Sequence, residues 1–250
     1  MRYDNINKDI IDEILVRNAN VDSLGLATGR AGIAFLCFLM GKYSGSVEYF
    51  TKGREHLDYL FAHIYEISDL SFVDGLAGAG WTLEFAVQSG WYVNEGHDLL
   101  LEEVDDIIYK HITFHRNFPL SLDKGYIGYY FYLYYRLKRN RKEANFYRSL
   151  ALKECTIWVM GKLYNEMLQG DKAKLTEKDW LHCHILTGKF RSLKIQDNIT
   201  ADMLAETQKM LLKIPRQSLE SREIKNWGLL DALRSLLRQT NGYFSLSRFI

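Results

Sequence analysis

Apolar residues along this chain recur at intervals of three and four, seldom at two. Ile6, Ile10, Ile11, Ile14 and Leu15 form one such series, and Leu99, Leu100, Val104, Ile107 and Ile108 another. That period belongs to helices with one buried face. Four charge-bearing stretches share it: VEYFTKGREHLDYLFAHIYEI, HDLLLEEVDDIIYKHI, RKEANFYRSLALKECTIWVMGKLY and ADMLAETQKMLLKI. They alternate with stretches that are apolar on every side, such as GIAFLCFLM and GYYFYLYY. A helix apolar all round is one covered all round. Only Pro119 and Pro215 interrupt the series. The pattern predicts an all-α chain in which each polar-faced helix is paired with a buried one.

Glycine marks where the apolar helices open. The heads read GRAG (Gly29–Gly32), GLAG (Gly75–Gly78), GYIG (Gly125–Gly128), ILTG (Ile185–Gly188) and ALRS (Ala232–Ser235). Their spacings are 46, 50, 60 and 47 residues. Five helix pairs at such spacing predict a solenoid or an α/α toroid, a double ring of helices spanning residues 1–250 as one domain. Glycine at a head lets backbones approach closely. The amino ends of the inner helices then gather on one rim and present N–H groups there. A plain helical bundle with glycine as turn punctuation is the competing architecture.

Composition narrows the function classes. A net charge of +1 gives no reason to expect nucleic acid or an anionic membrane as partner. The basic run Arg136–Lys142 reads as a solvated linker. Three cysteines are too few for a disulfide framework and suggest a reducing compartment. The opening MRYDNINKDIIDEI lacks a signal-peptide core, and no apolar run approaches the roughly 20 residues of a membrane span. The expected location is the cytoplasm.

The candidate chemistry starts at LHCHILTG, where Cys183 stands between His182 and His184. A thiol and an imidazole side by side suit zinc, but also suit a helix start satisfied by backbone and water. Cys37 reads as core. His56, His63, His97, His111 and His115 fall on the polar-faced helices or at their ends. Asp74, Asp123 and Asp231 precede heads and are placed to cap helices. Paired carboxylates in an aromatic-lined toroid would alternatively suit glycoside hydrolysis. Trp81, Tyr126, Tyr129 and Tyr130 are candidates for contacting a peptide, each with a polar tip on an apolar ring. No catalytic acid or base is identified.

DGLAGAGW, GRAGIAFL and CHILTG resemble the repeats of the lanthionine synthetase C-like proteins, the cyclases that complete lanthipeptides. The resemblance implies an α/α toroid, although the family usually has seven repeats against five here. It also implies a zinc ion held by two cysteines and a histidine. That zinc binds a substrate cysteine as thiolate for addition to a dehydrated serine or threonine. Cys183 and His184 match the family's Cys-His-Gly-x-Ala-Gly motif, with Ile185 and Thr187 in place of glycine and alanine. Where the family has its other cysteine, this chain has Asp123. A carboxylate is a permitted but harder third ligand. Peptide modification, with a peptide substrate or a partner modification enzyme, is the implied function. A metal-free toroid that only binds a peptide or partner is the alternative.

Overall fold

The computed structural model describes residues 12–13, 15–16, 21–115, 117–138, 146–170 and 175–213. Among them are eight α-helices with placed ends, one short 3-10 turn (Ile64–Glu66) and no strand. The helices are α1 (Arg30–Ser44), α2 (Val47–His63), α3 (Leu76–Gln88), α4 (His97–Phe114), α5 (Tyr126–Lys138), α6 (Phe146–Leu168), α7 (Glu177–Ser192) and α8 (Asp197–Leu211). The chain is therefore all-α where it is described. The fifth expected pair, with Asp231 and Leu229–Leu237, lies outside the described residues.

The helices form two rows. α1, α3, α5 and α7 pack each against the next, and α2, α4, α6 and α8 each cover the odd-numbered helix they follow. In the outer row α6 also packs against α4 and α8. α1 and α7 bound the described inner row, α1 packing on α3 and α7 on α5. The inner helices α1, α3 and α5 are buried on almost every side, as their uninterrupted apolar sequences require. α2 instead buries Tyr49, Gly53, Leu57 and Leu60, one stripe at helical spacing.

Aromatic rings join the inner row. Phe35 of α1 meets Trp81 and Phe85 of α3 at centroid distances of 5.2 and 5.0 Å. Both α3 rings meet Tyr135 of α5, at 5.6 and 5.7 Å. Tyr130 of α5 stacks face to face on Phe190 of α7 at 4.0 Å. Tilted and edge-on pairs of this kind add about 0.5–1.5 kcal/mol each beyond the area they bury.

The fourth head differs from expectation. ILTG does not open a helix: α7 begins at Glu177, and Ile185–Gly188 lie within it. Its start is a capping box. Asp179 N donates to Thr176 Oγ1 at 3.2 Å, and Thr176 N donates to Asp179 Oδ2 at 3.0 Å. Measured from Gly125 to Thr176, the third step is 51 residues, closer to the first two than the 60 read to Ile185. The basic run is also corrected. Arg136–Lys138 finish α5, and Arg136 is buried, not solvated; 139–142 lie outside the described residues.

Candidate functional site

The three glycine heads are built alike. In each, the first helical N–H bonds to the carbonyl seven residues back: Arg30 to Ser23, Leu76 to Asp69 and Tyr126 to Pro119, all at 2.8–2.9 Å. A Cβ on Gly29, Gly75 or Gly125 would overlap that same carbonyl oxygen. The second glycine of GLAG and of GYIG is needed for a related reason. A Cβ on Gly78 would strike the Phe72 carbonyl, and one on Gly128 the Leu122 carbonyl. The Gly-x-x-Gly spacing thus records a folded-back loop pressed onto the first turn of its helix.

Neighbouring heads are joined. Leu26 N donates to Val73 O at 2.9 Å, and Phe72 N donates to Asp123 O at 2.9 Å. Each donor lies three residues before its glycine and each acceptor two residues before the next. The heads of α1, α3 and α5 therefore share one edge of the molecule as a continuous rim. Its N–H groups are largely spoken for: at α1 the amides of Arg30 through Ile33 all reach loop carbonyls. The expected array of free helix N–H groups is absent at this head.

The aspartates divide. Asp74 does not cap α3, whose N-cap Gly75 has no side-chain partner. Its Oδ1 instead accepts from Thr28 N at 3.1 Å and Thr28 Oγ1 at 2.9 Å, stitching the second head to the first. Asp123 offers its backbone carbonyl to Phe72, and its residue surface is exposed in the turn before α5.

Cys183 and His184 sit elsewhere, inside α7. Cys183 is wholly buried, close to the Tyr130 phenol, and burial together with Asp179 pushes its thiol far above the ordinary range. The nearby Thr187 and Tyr130 hydroxyls lie side by side without closing a hydrogen bond. His184 is half-buried; its Nδ1 pairs with Thr207 Oγ1 of α8 at 2.8 Å, and burial lowers its pKa. His182 meets the Phe131 ring edge-on at 6.0 Å. Among the described residues no three His, Cys, Asp or Glu side chains are gathered to hold a metal ion. Cys183 and His184 stand within α7 and Asp123 in the exposed turn before α5, and the described structure does not gather the three into one such group.

The four aromatic candidates are packed, not displayed. Trp81, Tyr126, Tyr129 and Tyr130 are all buried. Tyr126 lies between Phe118 and Trp158, and Tyr129 against His111 and Phe118. Trp81 Nε1 has no hydrogen-bond partner among the described residues.

Sequence reasoning missed a buried ionic cluster. Arg136 of α5 donates Nε and Nη2 to the two oxygens of Asp105 on α4, at 2.8 and 2.7 Å, and Nη1 to Glu84 of α3. Tyr132 also donates to Asp105, at 2.6 Å, and Gln88 to Glu84, at 2.7 Å. All three charged residues are buried. The available signal was a charge set among apolar residues in each of two helices, Glu84 in WTLEFAV and Arg136 in YLYYRL, the latter one residue short of a second charge at Lys138. The bidentate fork and the added donors make this a fastening of three helices.

No helix among the described residues is long and apolar enough to cross a membrane. The sequence matches no protein-family model, and no curated protein matches it.

Proposed function

We propose that this chain is a divergent relative of the lanthionine synthetase C-like proteins and works in peptide modification by holding a peptide, or the enzyme that modifies it, without zinc on Cys183 and His184. The observation that carries this reading is the repeated head: the same glycine contact and the same lateral backbone bond recur at GRAG, GLAG and GYIG, the motifs on which the resemblance rests. The five-pair double ring belongs to the same proposal. The rim carries exposed Thr28, Asp69, Asp74, Asp123 and Lys124. Such a charged and hydroxylated strip suits a polar, Ser/Thr/Cys-rich peptide. Cys37, Cys155 and Cys183 are free thiols, in keeping with a reducing, cytoplasmic setting.

The test uses a fluorescently labelled synthetic Ser/Thr/Cys-rich peptide, in its unmodified and dehydrated forms. Anisotropy should report saturable binding that a metal chelator does not change, and the dehydrated peptide should keep its free thiols. Absence of binding would remove the proposal. Thiol loss that requires added zinc would restore the cyclase reading.

A further inference from the structure

We propose that Lys189 is a nucleophilic amine, set against Tyr134 and Tyr135 to form an imine with the carbonyl carbon of a small aldehyde or ketone. The site lies well away from the rim. Tyr134 and Tyr135 stand nine and ten residues beyond Gly125, roughly 14 Å along α5 from its head.

Three observations of placement carry the inference. Lys189 is only 7% exposed, the most buried lysine described. Its Nζ lies over the Tyr134 ring at 5.4 Å and the Tyr135 ring at 5.7 Å. No carboxylate among the described residues pairs with it. From α5 the charged group facing it is Lys138, whose own Nζ lies 5.6 Å from the other contact of Lys189, the Tyr135 ring. α8, the other helix packed on α7, places no charged group that acts on it.

A buried ammonium normally has an acid partner. Lys189 has rings and a second cation instead, the two conditions that make a lysine nucleophilic: desolvation and a like charge close by. Burial first, and Lys138 second, bring its pKa down to about 7. The cation–ring contacts oppose this without cancelling it. Near pH 7 a large share of the side chain is then neutral amine.

The step balances without a redox partner. The amine lone pair forms a C–N bond to the carbonyl carbon while the carbonyl π pair moves to oxygen, which takes a proton. The nitrogen gives up both of its protons in turn, one balancing the proton taken by the oxygen and one balancing the proton with which the hydroxyl leaves as water, and the nitrogen lone pair closes C=N. The substrate class is a small, largely apolar carbonyl compound, since the ammonium's surroundings are phenol rings.

The experiment treats the intact protein at pH 7 with butanal and cyanoborohydride, whose hydride fixes each imine as a secondary amine, and maps labelling lysine by lysine. Lys189 should label about tenfold or more faster than exposed Lys124 and Lys213. Its rate should level off just above pH 7 while theirs climb towards pH 10. Lys138→Met should slow Lys189 labelling at pH 7 while circular dichroism stays unchanged. Labelling of Lys189 no faster than the exposed lysines, or a rate still climbing to pH 10, would overturn the proposal. No arm of this experiment reads peptide binding, so its failure leaves the rim untouched.

Discussion

The backbone amide of Phe72 donates to the carbonyl oxygen of Asp123 at 2.9 Å, and Leu26 makes the same bond to Val73 one head earlier. Two such bonds at equivalent positions turn a sequence repeat into a structural one. They set consecutive inner helices side by side with their amino ends level, whatever the side chains between them do.

The head glycines should therefore tolerate no Cβ. Gly75→Ala would press a methyl group against the Asp69 carbonyl and the backbone of Ser71. A loss of about 2–3 kcal/mol is expected in urea unfolding, the size of an overpacked core site. Gly161, in the middle of α6, has nothing within 4 Å of its Cβ position. Gly161→Ala should stabilise by about 0.5–1 kcal/mol, as for any helix-interior glycine. Equal effects at the two sites would contradict the role given to the heads.

The buried fork predicts a sharp asymmetry. Arg136→Met strands the carboxylates of Glu84 and Asp105 away from water and should cost about 3–5 kcal/mol. Tyr132→Phe removes one donor to Asp105 and should cost about 1–3 kcal/mol. Replacing all three charged residues together by apolar ones of similar volume should recover much of the loss. Urea titrations of the single and triple variants check it; a triple variant weaker than Arg136→Met would refute it.

Acid should destabilise the fold before carboxylates titrate. Burial lowers the pKa of His56, beside Arg30, of His111, beside His115, and of His184. The unfolded chain, with histidines near the usual value of about 6.5, binds more protons, so stability rises with pH through that window. The melting temperature should fall between pH 7.5 and 5.5, and His184→Gln with His56→Gln should flatten the fall. Lys189 works in the same direction at higher pH. Its lowered pKa of about 7 makes stability climb from pH 7 towards 10, and Lys189→Met should abolish that climb.

All three cysteines should be inert in the native protein. Burial pushes the Cys37 and Cys155 thiols up to about 12, and Cys183 higher. Iodoacetamide at pH 8 should alkylate them roughly a hundredfold or more slowly than in urea. Fast native alkylation of Cys183 would mean that α7 is packed otherwise.

Much of the fold was legible because its constraints are local. A glycine pressed against a carbonyl six residues back writes itself into the sequence, and GRAG, GLAG and GYIG were read correctly as heads. ILTG imitates them, but Gly188 is exposed within α7 and the nearest atom to its Cβ position is Leu204 Cδ2 at 3.9 Å. The true start was signalled by Thr176 and Asp179, a capping pair that carries no glycine. The fork of Arg136 was illegible because its partners stand 31 and 52 residues away, and pairing at that distance leaves no periodic trace. Asp74 was read as a cap for its own helix, yet it serves the preceding loop through Thr28, a contact only the lateral joining of heads creates.

Elemental mass spectrometry of the untagged protein tests the central claim most directly, since the proposed function has this chain hold a peptide without zinc, unlike the cyclases its glycine heads resemble. The predicted result is zinc far below stoichiometric, unchanged in Cys183→Ala. Stoichiometric zinc that Cys183→Ala or His184→Ala removes would contradict the account.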